Sequence, residues 1–147
     1  MPMSRLTREK AGHRQMKAFQ ITALLAAATI VGNLAQAADA DQGAKNFRQC
    51  SVCHDLAGGK NKVGPSLQHI LGRTAGSGDG FAYSEDLAAA GRKGLKWDEK
   101  NLMAYLADPA AFLKSYLGKD QVTNKMQNKY AKEDFRADIV AYLKQAK

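Results

Sequence analysis

A chain of 147 residues with a formal net charge of +8 and a pI near 9.6 is long enough for one small domain and basic enough to suggest an anionic partner. No basic stripe with interleaved aromatic residues appears, which argues against nucleic acid. The chain has only two cysteines and no second pair, so a structural zinc site of four Cys/His ligands is poorly served.

The first residues are polar and basic, with Arg5, Arg8, Lys10, Arg14 and Lys17. An apolar run from Ile21 to Val31 and then Ala35-Gln36-Ala37 follow. Basic, apolar and A-x-A segments in that order read as a secretory signal peptide over residues 1–37. The apolar run is too short to span a bilayer, although an uncleaved anchor is the alternative. Cleavage is expected after Ala37 or Ala38, leaving residues 38–147 as the mature domain. A true start at Met16 would give a Met-Lys-Ala-Phe opening. Losing residues 1–37 removes five basic and one acidic side chains, so the net charge falls from +8 to +4. The working protein is mildly positive and is expected in the periplasm.

Strand signals are nearly absent after the leader and helical ones recur, so the fold class is all-α, a small single domain. The first helix is predicted over about Ala40–Cys50, with Asp41 as N-cap and with Ala44 and Phe47 on one face. Cys50-Ser51-Val52-Cys53-His54 comes next. A C-x-x-C-H run is the attachment site of a c-type haem. The two thiols add across the porphyrin vinyl groups as thioethers, and the histidine meets the iron as an axial ligand. One helical turn brings the two sulfurs to one edge of the macrocycle.

Three other readings of the pair stand beside this one. A zinc site would find only His69 beyond His54. A thioredoxin-type pair belongs in a βαβ pattern, which this sequence lacks. A structural disulfide between the two is possible in an oxidising compartment. Haem attachment occurs outside the cytoplasm in bacteria, so the motif and the leader support each other. One covalent haem c with its iron is the expected cofactor.

Leu56 to Gly80 is rich in glycine and lysine and reads as loop, with turns at Gly58-Gly59 and Gly64-Pro65. A short helix is predicted from Ser84, its cap, to Arg92. Asp98 caps the next helix, where Leu102, Tyr105 and Leu106 share a face. Pro109 ends it and opens another short helix to about Leu117. Gly118 to Lys129 is a polar loop. The last helix runs from about Lys132 to Gln145, with Phe135, Ile139, Tyr142 and Leu143 as its apolar stripe.

The iron needs a second axial ligand or an open site, and that choice separates a carrier from an enzyme. The candidates are Met103, Met126, His69 and the lysines. Met103 lies in a helix after Trp97 and suits gap filling. His69 is too near His54 in sequence to reach the other haem face easily. Met126, in a polar loop with no obvious core to fill, is the preferred ligand.

These stretches in their shared order resemble a class I cytochrome c, of the longer bacterial c2 type close to mitochondrial cytochrome c. The likeness covers Gln42 to Lys147. It is carried by Gly43, Phe47 and Cys50 to His54; by Gly58 to Leu67; by Gly72-Arg73 and Gly80 to Tyr83; by Gly94 to Trp97 and Leu102 to Pro109; and by Lys125-Met126 and Asp138 to Leu143.

The resemblance implies a cytochrome c fold, with helices wrapped around one haem. His54 would bind iron through one imidazole nitrogen and donate from the other to the Pro65 carbonyl. Met126 would be the sixth ligand. Arg73, Tyr83 and Trp97 would donate to the haem propionates, although Trp97 also suits ordinary core packing. Tyr105 would reach toward the Met126 sulfur, and Phe47 and Tyr142 would pack the first helix on the last.

The expected activity is that of a single-electron carrier and not an enzyme, a monomer shuttling between respiratory or photosynthetic complexes. Lys62, Lys114, Lys119, Lys125 and Lys129 would steer it to acidic surfaces of membrane electron-transfer complexes or periplasmic redox enzymes. Two departures from the mitochondrial pattern stand out. The stretch from Phe112 to Met126 is longer and has Thr123-Asn124 in place of Pro-Gly-Thr before Lys-Met. Ala110 and Ala111 stand where two lysines near the haem edge would be. A haem enzyme or gas binder with an open sixth position is the competing class.

Overall fold

The computed structural model describes residues 37–146. The basic stretch, the apolar run and Ala35-Gln36 of the expected leader lie outside the described residues. Four of the six helices among the described residues start where a side chain takes a free amide group of the first turn. Asp39 caps α1 (Ala40–Asn46) by accepting from the Asp41 and Gln42 amides. The cap is therefore two residues earlier than expected, and Asp41 sits in the first turn, where an acid suits the positive helix end. The single helix expected to Cys50 is broken at Phe47, and α2 (Arg48–Ser51) carries Cys50.

Ser84 caps α3 (Glu85–Arg92) by accepting from the Leu87 amide, and Asp98 caps α4 (Glu99–Ala107) through the Asn101 amide, both as the sequence predicts. Pro109 opens α5 (Pro109–Leu117), capped by Asp108 on the Ala111 amide. Gly118 closes α5 with a φ of 69°, a conformation that glycine adopts without penalty. The last helix, α6 (Glu133–Gln145), has no side-chain cap but has Glu133 and Asp134 in its first turn. Among the described residues the only pairing of extended backbone is an isolated bridge between Thr74 and Lys96. Residues 56–80 are turns and loop, as expected.

The helices pack around a core in which Leu95, Pro109, Leu113 and Ile139 are fully buried. The apolar face of α6 centres on Ile139, Val140 and Leu143; Val140 joins the expected stripe, while Phe135 and Tyr142 are half-buried at its edges. Met103 is half-buried against the core, in a shallow depression with Val140 and Ala141. That is the gap-filling role the sequence suggests.

Helix α1 lies directly on α6. A Cβ at Gly43 would lie 2.6 Å from the Asp138 carbonyl carbon and 2.8 Å from Tyr142 Cβ, so only glycine allows this approach. The Phe47 and Tyr142 rings meet at 5.5 Å between centroids, tilted by 57°. The Asp39 amide adds a 2.8 Å hydrogen bond to Asp138 Oδ1. Helix α2 follows directly and carries the buried Cys50.

Gly43→Ala is expected to lower stability by about 1–3 kcal/mol, the cost of an overpacked contact. That outweighs the gain in helix propensity, at most about 1 kcal/mol. Urea denaturation of wild type and variant measures the difference.

Candidate functional site

The interior holds a largely apolar cavity of about 370 Å³. One part of its wall is the run that ends α2. Cys50 is buried, Cys53 and His54 are half-buried, and all three line the space. His54 Nδ1 lies 2.7 Å from the Pro65 carbonyl oxygen. A carbonyl can only accept, so Nδ1 carries the proton and donates, which leaves the Nε2 lone pair free. Burial lowers the pKa of His54, against the opposing pull of the Pro65 bond, and so favours the neutral ring that a metal requires. Gly64 packs on that ring: a Cβ there would lie 2.7 Å from Nδ1 and 2.9 Å from Nε2. Burial also raises the pKa of the Cys50 thiol. Cys50 and Cys53 are not joined in a disulfide.

A second part of the wall comes from the early loop and the segment after α3. The Gly72 amide donates to the Trp97 carbonyl at 2.7 Å, and the Trp97 amide donates to the Arg73 carbonyl at 2.9 Å. This short pairing brings Arg73 and Trp97 to the cavity together. Arg73 donates to the Ser66 carbonyl at 2.6 Å. Tyr83 Oη accepts from the Gly78 amide at 3.2 Å, which leaves its own proton to donate elsewhere. Trp97 is buried with its ring edge-on to Tyr105 at 4.9 Å. It is packed in the core and also lines the cavity wall.

Met126, half-buried in the late loop, lines the same cavity. The Tyr105 hydroxyl, kept protonated by burial, donates to Asn124 Oδ1 at 3.2 Å. The Asn124 side-chain amide in turn donates to the Met126 carbonyl. Tyr105 therefore reaches Met126 through Asn124. His69 is exposed, takes a left-handed φ of 54° and stays off the cavity wall, as the sequence suggests.

The late loop depends on a residue that the sequence reading did not single out. Asp86, in the first turn of α3, is 6% exposed. Its Oδ1 pairs with Lys119 Nζ at 2.5 Å. Its Oδ2 accepts from the Thr123 amide at 2.6 Å and from Thr123 Oγ1 at 2.8 Å. These bonds hold its carboxyl down at about 2. In sequence Asp86 looks like an ordinary first-turn acid, and nothing local reports a partner more than thirty positions away.

The expected lysine cluster also changes. Lys119 is paired with Asp86, and Lys129 with Asp108 at 2.7 Å. Lys125 reaches the Ala82 carbonyl and lies 5.8 Å over the Phe81 ring, and Lys62 donates to the Ser51 carbonyl at 2.8 Å. Neither of these is paired with an acid, whereas Lys119 and Lys129 are. Beside Lys62, Val63 is 81% exposed, and Val52, between the two cysteines, is 75% exposed.

A largely apolar space with two thiols, a committed imidazole and a thioether on its wall suits a flat apolar ligand with a metal at its centre. No three His, Cys, Asp or Glu side chains among the described residues are placed to share a metal ion, which disfavours the zinc reading. The all-α fold around such a cavity is that of a class I cytochrome c. No protein-family model matches the chain. It is 43% identical over 113 residues to cytochrome c2 of Rhodovulum adriaticum, covering 71% of this chain and 90% of that one. To cytochrome c2 of Cereibacter sphaeroides it is 42% identical over 138 residues, covering 86% and 95%. The solved structure of cytochrome c2 from Rhodospirillum centenum superposes with a TM-score of 0.71 at 41% identity, covering 74% of this chain and 98% of that one. The chain belongs to the cytochrome c2 family. It is an electron carrier with one covalently attached haem c.

Asp86 gives a pH prediction with a definite sign. Its folded pKa of about 2 lies below the ordinary carboxylate value of 3.8, so its stabilisation is complete above about pH 4 and is lost as the pH falls toward 2. Wild type is therefore expected to lose stability in that window faster than Asp86→Asn. The gap between their urea midpoints, measured at pH 5, 4 and 3, should shrink as the pH falls.

Proposed function

We propose that His54 Nε2 and the Met126 sulfur are the two axial ligands of the haem iron, and that Cys50 and Cys53 form the thioethers. The observation that carries this reading is the His54 Nδ1–Pro65 hydrogen bond, which commits one imidazole nitrogen and turns the other to a cavity that Met126 also lines. When bound, the haem supplies a one-electron Fe(II)/Fe(III) couple. A histidine–methionine pair favours the reduced state, because the soft sulfur suits ferrous iron. With His54 and Met126 both holding the group, the surrounding residues would need little reorganisation when it gains or loses an electron. Arg73, Tyr83 and Trp97 serve as donors to the propionates, whose burial without partners would be costly.

The route for the electron is the edge beside Cys53, where Val52 and Val63 are exposed. Lys62 and Lys125 supply the positive field there, supported by the mild net charge of residues 38–147. An acidic partner surface, on a membrane electron-transfer complex or a periplasmic redox enzyme, fits that field. Such encounters are brief and weaken with salt. Residues 1–37 act as a cleaved export leader, which places the mature chain in the periplasm, where haem attachment to thiols occurs. Among the described residues no helix is long and apolar enough to cross a membrane.

Two experiments test the ligand set. Met126→Ala is expected to abolish the weak absorbance at the red edge of the ferric spectrum and to let the reduced protein bind carbon monoxide rapidly at neutral pH. Wild type should bind it slowly; fast, full binding by wild type would favour an open sixth position. Separately, haem should stay with the wild-type polypeptide on a denaturing gel and leave it when Cys50 and Cys53 are both replaced by serine.

A further inference from the structure

The segment from Gly118 to Lys132 has no regular secondary structure, and Met126 sits within it. Holding one thioether steady in such a loop requires fixed points, because each ordered residue costs conformational entropy. After Met126 the loop is tied by the Tyr130 amide to the Leu106 carbonyl and by Lys129 to Asp108; before it, two ties fall at consecutive residues. Thr123 is bound by its amide and its hydroxyl to Asp86 on α3, and Asn124 is bound to Tyr105 on α4. Asp86 is the stronger point. It is the only buried charged side chain among the described residues. A buried carboxylate is tolerated only when its oxygens are satisfied, and here every bond to those oxygens comes from the loop, from Lys119 and Thr123. Chain reach then confines Met126, three residues on, to within ~10 Å of Thr123. Leu87, next to Asp86, lies on the cavity wall, so the anchor is built on the same helix turn that shapes the site.

We propose that Asp86 is a positioning residue for Met126: by gripping Thr123 and Lys119 it holds the thioether at the cavity and keeps the sixth position closed. This rests on the reading of Met126 as an axial ligand. The probe is carbon monoxide, added to the reduced holoprotein at neutral pH, together with the red-edge absorbance of the ferric form. Asp86→Asn keeps the side-chain shape and removes the charge. Its CO association is expected to be roughly 10- to 100-fold faster than wild type, the factor of one charge-assisted hydrogen bond, with a weakened red-edge band and the haem still covalently attached. Thr123→Val and Lys119→Met each remove one contact and should give smaller increases; they carry the test if Asp86→Asn does not fold. Gly43→Ala, which weakens the α1–α6 crossing instead, should bind CO at the wild-type rate.

Wild-type rates and band in Asp86→Asn, or in its absence in both Thr123→Val and Lys119→Met, overturn the inference. An equal increase in Gly43→Ala overturns it too, because the effect would then follow general stability. Fast CO binding by Met126→Ala beside an unaltered Asp86→Asn sinks this inference alone. If Met126→Ala changes neither readout, the ligand reading fails and takes this inference with it.

Discussion

A domain of about 110 residues, 37–146, has to close over a flat apolar group and present nothing loose to the metal at its centre. That constraint organises the molecule. A domain of this size buries a marginal core unaided. The cavity explains why so many large apolar side chains, among them Trp97, Leu102, Tyr105 and Leu106, border an internal space and do not simply pack on one another. The covalently attached haem of this family supplies the missing core. Stability and cofactor retention are therefore two views of the same packing.

The two sides of the cavity are held by different physics. On the histidine side the hold is short-range. His54 follows directly from α2, Pro65 lies eleven residues on, and Gly64 clears the space the imidazole occupies. A few residues of local chain settle the ring's orientation and its protonated nitrogen. On the methionine side the hold is long-range. The loop takes its shape from α3 and α4, through a buried carboxylate and a buried tyrosine hydroxyl. A thioether on a loop is easily displaced unless distant elements restrain it, and a buried charge is an effective restraint because leaving it unpaired is so unfavourable.

The surface shows a similar division. Lysine count alone overstates the unpaired positive charge, because Lys119 is spent on the buried Asp86 and Lys129 on the partly exposed Asp108. What remains near the exposed valines is a smaller field from Lys62 and Lys125. Weak, salt-sensitive docking suits a carrier that must leave as readily as it arrives. Pairing lysines with loop-anchoring acids directs some of the charge to structure and some to recognition.

Much of the fold was legible in the sequence. The C-x-x-C-H run, the caps at Ser84 and Asp98, the Pro109 break and the loop from Gly118 depend on neighbours within a turn or two, so local chemistry specifies them. The cap at Asp39 and the break at Phe47 were missed because helix ends shift by a residue or two with tertiary contacts such as the Asp39–Asp138 bond. Asp86 and the Tyr105–Asn124 link were invisible because their partners lie 37 and 19 positions away. The sequence by itself determined the chemistry: which residues can attach and ligate a haem, and that the framework is helical. Only the tertiary structure decided how the late loop is held to the cavity and which lysines remain free, because those outcomes depend on which distant groups meet when the helices pack.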